Sequence, residues 1–128
     1  MQKNARHIRL KLEQLGSESA RRYLQWMHTK KYSPQTQRAA FTALRGLLAS
    51  LADKTLHDVS ADTLDAHHLA IKDRGLAPST VFQHMASIRA FFNWLESEGE
   101  VFVNPAKGMI LRKPPRLIHY VPSEDDVR

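Results

Sequence analysis

Hydrogen-bonding side chains recur at helical spacing in two stretches of this sequence. Gln35, Arg38, Thr42 and Arg45 follow one another at intervals of three and four residues. Ser79, Gln83 and Ala86 repeat the pattern, with Ser87 and Arg89 at its margins. On an α-helix such intervals bring side chains onto one face. The forks of arginine and the amides of glutamine suit the guanine and adenine edges of a major groove, and serine and threonine hydroxyls suit phosphate oxygens. Acid is scarce here: Glu96 and Glu98 fall at the far end of the second stretch. An anionic duplex would therefore meet its N-terminal half, where free amides and the helix dipole favour phosphate. The plain alternative is a solvated polar face.

The elements that hold these faces are written twice. Thr36 to Leu51 lies over Thr80 to Leu95 at an offset of 44 residues, each copy preceded by a proline, Pro34 or Pro78. Leu44, Leu47, Leu48 and Leu51 form the apolar stripe of the first copy; Ile88, Phe91, Phe92 and Leu95, extended backward by Met85, form that of the second. These stripes read as core. Around them the sequence predicts four helices. The first spans 18–30, capped by Ser17, with Tyr23, Leu24 and Met27 facing inward. The second runs from Pro34 to about 52, with Ser33 as cap and the proline at the first helical position. The third follows the cap Ser60 and reaches about 74, where Gly75 stops it; the fourth spans 78–98 and stops at Gly99. No stretch alternates with period two. The expected class is all-α: two helical hairpins packed into one bundle.

The chain has 128 residues, with 19 Lys+Arg against 13 Asp+Glu, a formal charge of +6, and no cysteine. The length fits one domain with tails. The charge favours a polyanion as partner, and the lack of cysteine excludes disulfides and thiolate metal sites. Residues 1–15 have no continuous apolar run, and nothing approaches the roughly 20 apolar residues of a membrane span. The expectation is a cytoplasmic protein with no membrane partner.

Other chemistry is thinly represented. Of seven histidines, His57, His67, His68 and His84 lie closest together. His67 and His68, being adjacent, point about 100° apart on a helix and do not chelate together easily. No metal or cofactor is expected, nor a small-molecule substrate. Asp62 and Asp65 read as a solvated acidic pair, and Gly46 and Gly108 are too isolated for a phosphate loop. Trp26 and Trp94 read as packing residues. His84 has two readings, a contact with an anionic partner or a boundary histidine beside the apolar stripe. Lys107, in basic surroundings with Arg112 and Lys113, suits a phosphate. Phe82 falls outside the stripe and is expected to meet either Val101–Val103 or another protein. A helical protein-interaction module built on that face, or a stand-alone accessory factor, is the rival functional class.

Several motifs together resemble a known family. Tyr32-Ser33-Pro34-x-Thr36, Gly75-Leu76-Ala77-Pro78-Ser79-Thr80, Ser87-Ile88-Arg89-Ala90-Phe91-Phe92-Asn93-Trp94-Leu95 and Asn104-Pro105-Ala106-Lys107-Gly108 are similar to the N-terminal core-binding domain of tyrosine recombinases, of the Xer type and of phage and integron integrases. The resemblance implies a four-helix SAM-like bundle forming half of a clamp on duplex DNA, with the second and fourth helices across the major groove of a recombination half-site. It implies Thr36, Arg38, Thr42, Arg45, Thr80, Gln83, His84, Ser87, Arg89 and Lys107 as DNA-binding residues. It also implies sister protomers that form a tetramer on DNA. Relatives often carry arginine where this chain has Gln83 and His84. The family's catalytic set belongs to a following domain; Tyr23, Tyr32 and Tyr120 do not match its nucleophile, so these residues are not expected to cut DNA. The resulting division is an arm or short helix at 1–16, the core-binding domain at 17–110, and at 111–128 a linker and the start of a catalytic domain. The basic Pro114-Pro115-Arg116 and the capping-box-like Ser123-Glu124-Asp125-Asp126 mark that last part.

Overall fold

The computed structural model describes residues 17–51 and 55–114. The expected arm at 1–16 and the expected helix start at Ser123 lie outside them. The described elements are α1 (Glu18–Thr29), α2 (Pro34–Leu51), a 3-10 turn (Leu56–Asp58), α3 (Ala61–Asp73) and α4 (Pro78–Ser97), with no strand among them. The all-α expectation holds, and each helix ends within about a residue of its predicted limit because Lys30, Arg74 and Glu98 are caps.

Local chemistry explains the boundaries. Ser17 Oγ accepts from the Ala20 amide at 3.3 Å, and Ser33 Oγ accepts from the Thr36 amide at 3.1 Å. At α3, Ser60 and Thr63 cap reciprocally: Ser60 Oγ accepts from the Thr63 amide, and Thr63 Oγ1 from the Ser60 amide, each at 3.2 Å. Gly75 (φ +79°) and Gly99 (φ +73°) take the left-handed conformation that ends α3 and α4. The end of α1 takes a form that no glycine in the sequence marks. Lys31 adopts φ +63°, and the amides of Lys31 and Tyr32 donate back to His28 and Met27. This is the arrangement that Gly99 and Glu100 repeat after α4, built there on glycine and here on lysine.

Packing centres on α4, which touches all three other helices and α2 most extensively. The predicted stripes form the core except at Leu48, which is half-buried at its edge: Leu44, Leu47, Met85, Ile88, Phe91, Phe92 and Leu95 are essentially inaccessible, Leu51 is buried, and Leu64 of α3 joins them. Each contributes about 1.5–3 kcal/mol by leaving water. Tyr23, Leu24 and Met27 of α1 are buried as expected. Tyr23 packs on Phe91 (5.2 Å between centroids) and Trp94 (5.3 Å), and burial with the nearby Tyr32 pushes its hydroxyl pKa up to about 12. Trp26 bridges Tyr32, just before α2, and Trp94, near the end of α4. The start of α2 therefore lies at the finishing end of α4.

Beyond Gly99 the chain folds back on the bundle. Val101, Asn104, Pro105 and Ala106 are buried, whereas Phe102 and Val103 point outward. Asn104 is the pin: its Nδ2 donates to Asn93 Oδ1 (2.8 Å) and Glu96 Oε1 (3.3 Å), and its Oδ1 accepts from the Ala106 amide (2.9 Å). The NPA-K-G motif is thus a turn fastened to the last turns of α4.

Candidate nucleic-acid interface

Gln35, Arg38, Thr42 and Arg45 form one line along α2, and all four are exposed. α2 contains no acidic residue. Seven residues separate Arg38 from Arg45, a rise of about 10 Å. Neither arginine has an ion-pair partner among the described residues, whose ion pairs are Arg22–Glu100 and Lys107–Glu96. Both charges are therefore available to a partner.

The face of α4 is less uniform. Ser79 and Gln83 are exposed, whereas Thr80, His84, Ser87 and Arg89 are half-buried. At 100° per residue Arg89 lies roughly 160° around the helix from Ser87, on the same side as Phe82; Thr80 and His84 share the Ser87 side. Ala77 provides no side-chain cap to α4. The first amides of α4 thus lack the partner that Ser33 supplies in α2, and the positive end of the helix dipole is open beside Ser79 and Thr80.

The expected contact residues divide along the bundle. Thr80, Gln83 and His84 lie at the beginning of α4. Thr36 and Lys107 lie at its finishing end, roughly 20 Å away along the axis. Thr36 is occupied locally, its hydroxyl 2.8 Å from that of Ser33. The Lys107 ammonium stands 3.9 Å from Glu96 Oε2 on an exposed turn. Arg38, Thr42 and Arg45 run between the two ends.

The histidines fall into distinct surroundings. His67 is only 6% exposed, and neither ring nitrogen has a hydrogen-bond partner among the described residues. Burial, then the charges of His84, Arg74 and His68, hold its pKa below the usual 6.5. Burial and Arg74 lower His84 in the same direction; burial and Lys72 lower His68 against the opposing pull of Asp65. Among the described residues no three histidine, aspartate or glutamate side chains converge as metal ligands. The burial of His67 carries a prediction. The unfolded chain takes up a proton at this histidine as pH falls through about 6.5, while the folded chain resists it, so stability present at neutral pH is lost on acidification. His67→Leu should flatten the fall in urea midpoint between pH 7 and pH 5, leaving only the part due to His68 and His84. An unchanged pH dependence in that variant would contradict the assignment.

Phe82 does meet the segment after α4, but further along than expected. With Leu76, Pro78 and Val81 it lines a shallow groove closed by Ile110, Leu111, Arg112 and Pro114, not by Val101–Val103. Trp26 and Trp94 pack as expected, Trp94 with its Nε1 buried and unpartnered. Among the described residues no helix is long and apolar enough to cross a membrane.

Comparison with known proteins gives these faces a context. The family model described as phage integrase, N-terminal SAM-like domain, matches residues 22–99, from α1 to the Gly99 stop. Tyrosine recombinase XerC of Salmonella typhi is 29% identical over 93 residues, covering 73% of this chain and 30% of that protein. Tyrosine recombinase XerC of Escherichia coli O157:H7 is 28% identical over 110 residues, covering 83% of this chain and 36% of that protein. The chain thus spans about a third of the length of the curated relatives it matches. No solved structure matches it.

Proposed function

The chain belongs to the phage integrase N-terminal SAM-like domain family, as an N-terminal domain of the Xer-like tyrosine-recombinase kind, and from that premise we propose that it grips the duplex DNA of a recombination half-site. In this reading Arg38, Thr42, Arg45, Gln83, Ser87 and His84 face the major groove, and Thr36, Thr80 and Lys107 reach phosphates; Arg89, on the Phe82 side of α4, stands away from that groove. The observation that carries it is the acid-free outer line of α2, where two exposed arginines stand without internal partners. The open N-terminus of α4 adds a second positive feature. DNA strand exchange by the whole protein, with sister protomers assembled as a tetramer on DNA, belongs to the same proposal.

The test is fluorescence anisotropy of a labelled duplex titrated with the chain over a salt series. Each phosphate neutralised contributes about 0.9 to the slope of log affinity against log salt. With three to five such contacts, a slope of about −2.7 to −4.5 is expected, and a weak non-specific Kd near 10⁻⁴ M at physiological salt. A folded chain that fails to bind at low salt, or binds with no salt dependence, would overturn the reading.

A further inference from the structure

The two ends of α4 carry surfaces of opposite kind. Just past its C-terminal end, Phe102 is 100% exposed and Val103 is 75% exposed, on a bend between the buried Val101 and Asn104. Two adjacent apolar side chains are thereby held out into water by a backbone that is pinned on both sides. The uncompensated charge beside them is acidic: Glu98 is exposed with no ion pair among the described residues, whereas Glu96 is bound by Asn104 and stands 3.9 Å from Lys107, and Glu100 pairs with Arg22. At the other end of α4 lies the groove floored by Leu76, Val81, Phe82 and Leu111, with Ile110 at its edge, 79% exposed. Its rim is basic. Lys72 and Arg112 line it, both exposed and without ion pairs among the described residues.

A chain cannot bring its own protrusion to its own groove. The 15 helical steps of α4 from Phe82 to Ser97 hold the two about 22 Å apart. We infer that Phe102 and Val103 of one copy seat in the groove beside Phe82 of the next copy. The apolar tip meets an apolar floor, and Glu98 meets the Lys72–Arg112 rim. The contact joins two different surfaces, so it is head-to-tail and each copy keeps one donor and one acceptor end, as a ring or a row of protomers requires. Two side chains in a shallow groove make a small interface at the weak end of the range. It becomes populated where copies are held side by side, and on the proposed function DNA does this by raising their effective concentration. The inference rests on that reading for the setting, not for the complementarity.

The cysteine-free sequence allows a clean test. Val103→Cys and Ile110→Cys chains of distinguishable mass are mixed and treated with a short bismaleimide, once at about 1 mM protein without DNA and once on a duplex long enough for several copies. The Val103→Cys–Ile110→Cys cross-link should exceed either homodimer by about tenfold or more. Adding Phe102→Asp to the Val103→Cys chain should remove that excess while the helical circular dichroism is unchanged, since Phe102 makes no buried contact. Three cross-linked species in statistical proportion, an excess that survives Phe102→Asp, or no cross-link in either arm would overturn the inference; the last is expected if residues 115–128 of the same chain fill the groove. Duplex binding by the parent chain, followed separately, keeps the two readings apart. Binding without the cross-link sinks only this inference, and the DNA-free arm decides it even if the chain binds no duplex.

Discussion

Arg38→Glu combined with Arg45→Glu should weaken duplex binding on the order of 100-fold at about 50 mM salt, equivalent to about 2.7 kcal/mol. The two guanidinium groups lie on one exposed line of α2, about 10 Å apart, which spans three base-pair steps of about 3.4 Å. Cations held in the groove also displace counterions condensed on the flanking phosphates, so removing two should make the salt dependence shallower by up to about 1.8. The two new carboxylates add repulsion that is strongest at low salt and is screened over about 10 Å at 0.1 M. Neither arginine has an internal partner among the described residues, so the melting temperature should hold within a few degrees. Anisotropy with the same labelled duplex reads the loss directly. An affinity unchanged within twofold, from a sample that melts like the parent, would remove α2 from the DNA.

Asn104→Ala should lower the unfolding free energy by about 2–3 kcal/mol. Asn104 is 5% exposed and satisfies three groups at once. The exposed Asn93 and Glu96 side chains regain water when it is lost, so their share is small. The Ala106 amide belongs to a fully buried residue and is left without its acceptor, a cost of about 1–3 kcal/mol. The turn also holds Val101 and Ala106 on the core, and its loosening adds to the loss. For a domain of this size the melting temperature should fall by about 10–20 °C. Asn93→Ala, which leaves Asn104 bonded to Glu96 and Ala106, should cost no more than about 1 kcal/mol. Equal losses from both variants would mean that the Asn104–Asn93 bond, not the buried amide, holds the turn.

What the sequence disclosed, and what it concealed, follows the range of the interactions. Ser17, Ser33, Ser60, Gly75 and Gly99 act on neighbours within a few residues, so helix limits could be read from them. The stripes of α2 and α4 obey a single period and had to be buried somewhere. The end of α1 is just as local, yet it uses Lys31 at positive φ where glycine is the usual marker. The 3-10 turn was hidden for another reason. Asp58 accepts from the amide and hydroxyl of Thr55, in a connection with no apolar period to announce it. His67 and Phe82 depend on elements distant in sequence. Adjacent histidines give no sign which one the bundle covers, and for Phe82 the sequence points to a partner at Val101–Val103, the nearer and more apolar stretch. It lies instead at Ile110–Arg112, since the Asn104 turn sends Phe102 and Val103 outward before the chain returns.

Of the candidate interface, the α2 line was fully legible, because spacing alone decides a one-sided helix. The α4 face was legible only in part. Burial by neighbouring helices leaves Gln83 open and half-covers Thr80, Ser87 and Arg89, which no periodicity could show.

The central claim is that duplex DNA meets the outer faces of α2 and α4, and an amide-resolved NMR titration of the labelled chain with a short duplex tests it most directly. The predicted result is a set of salt-sensitive shifts along Gln35, Arg38, Thr42 and Arg45 and at Ser79, Thr80 and Gln83, with little change around Asp62 and Asp65. Shifts confined to the Phe82–Ile110 groove, or none at low salt, would contradict it.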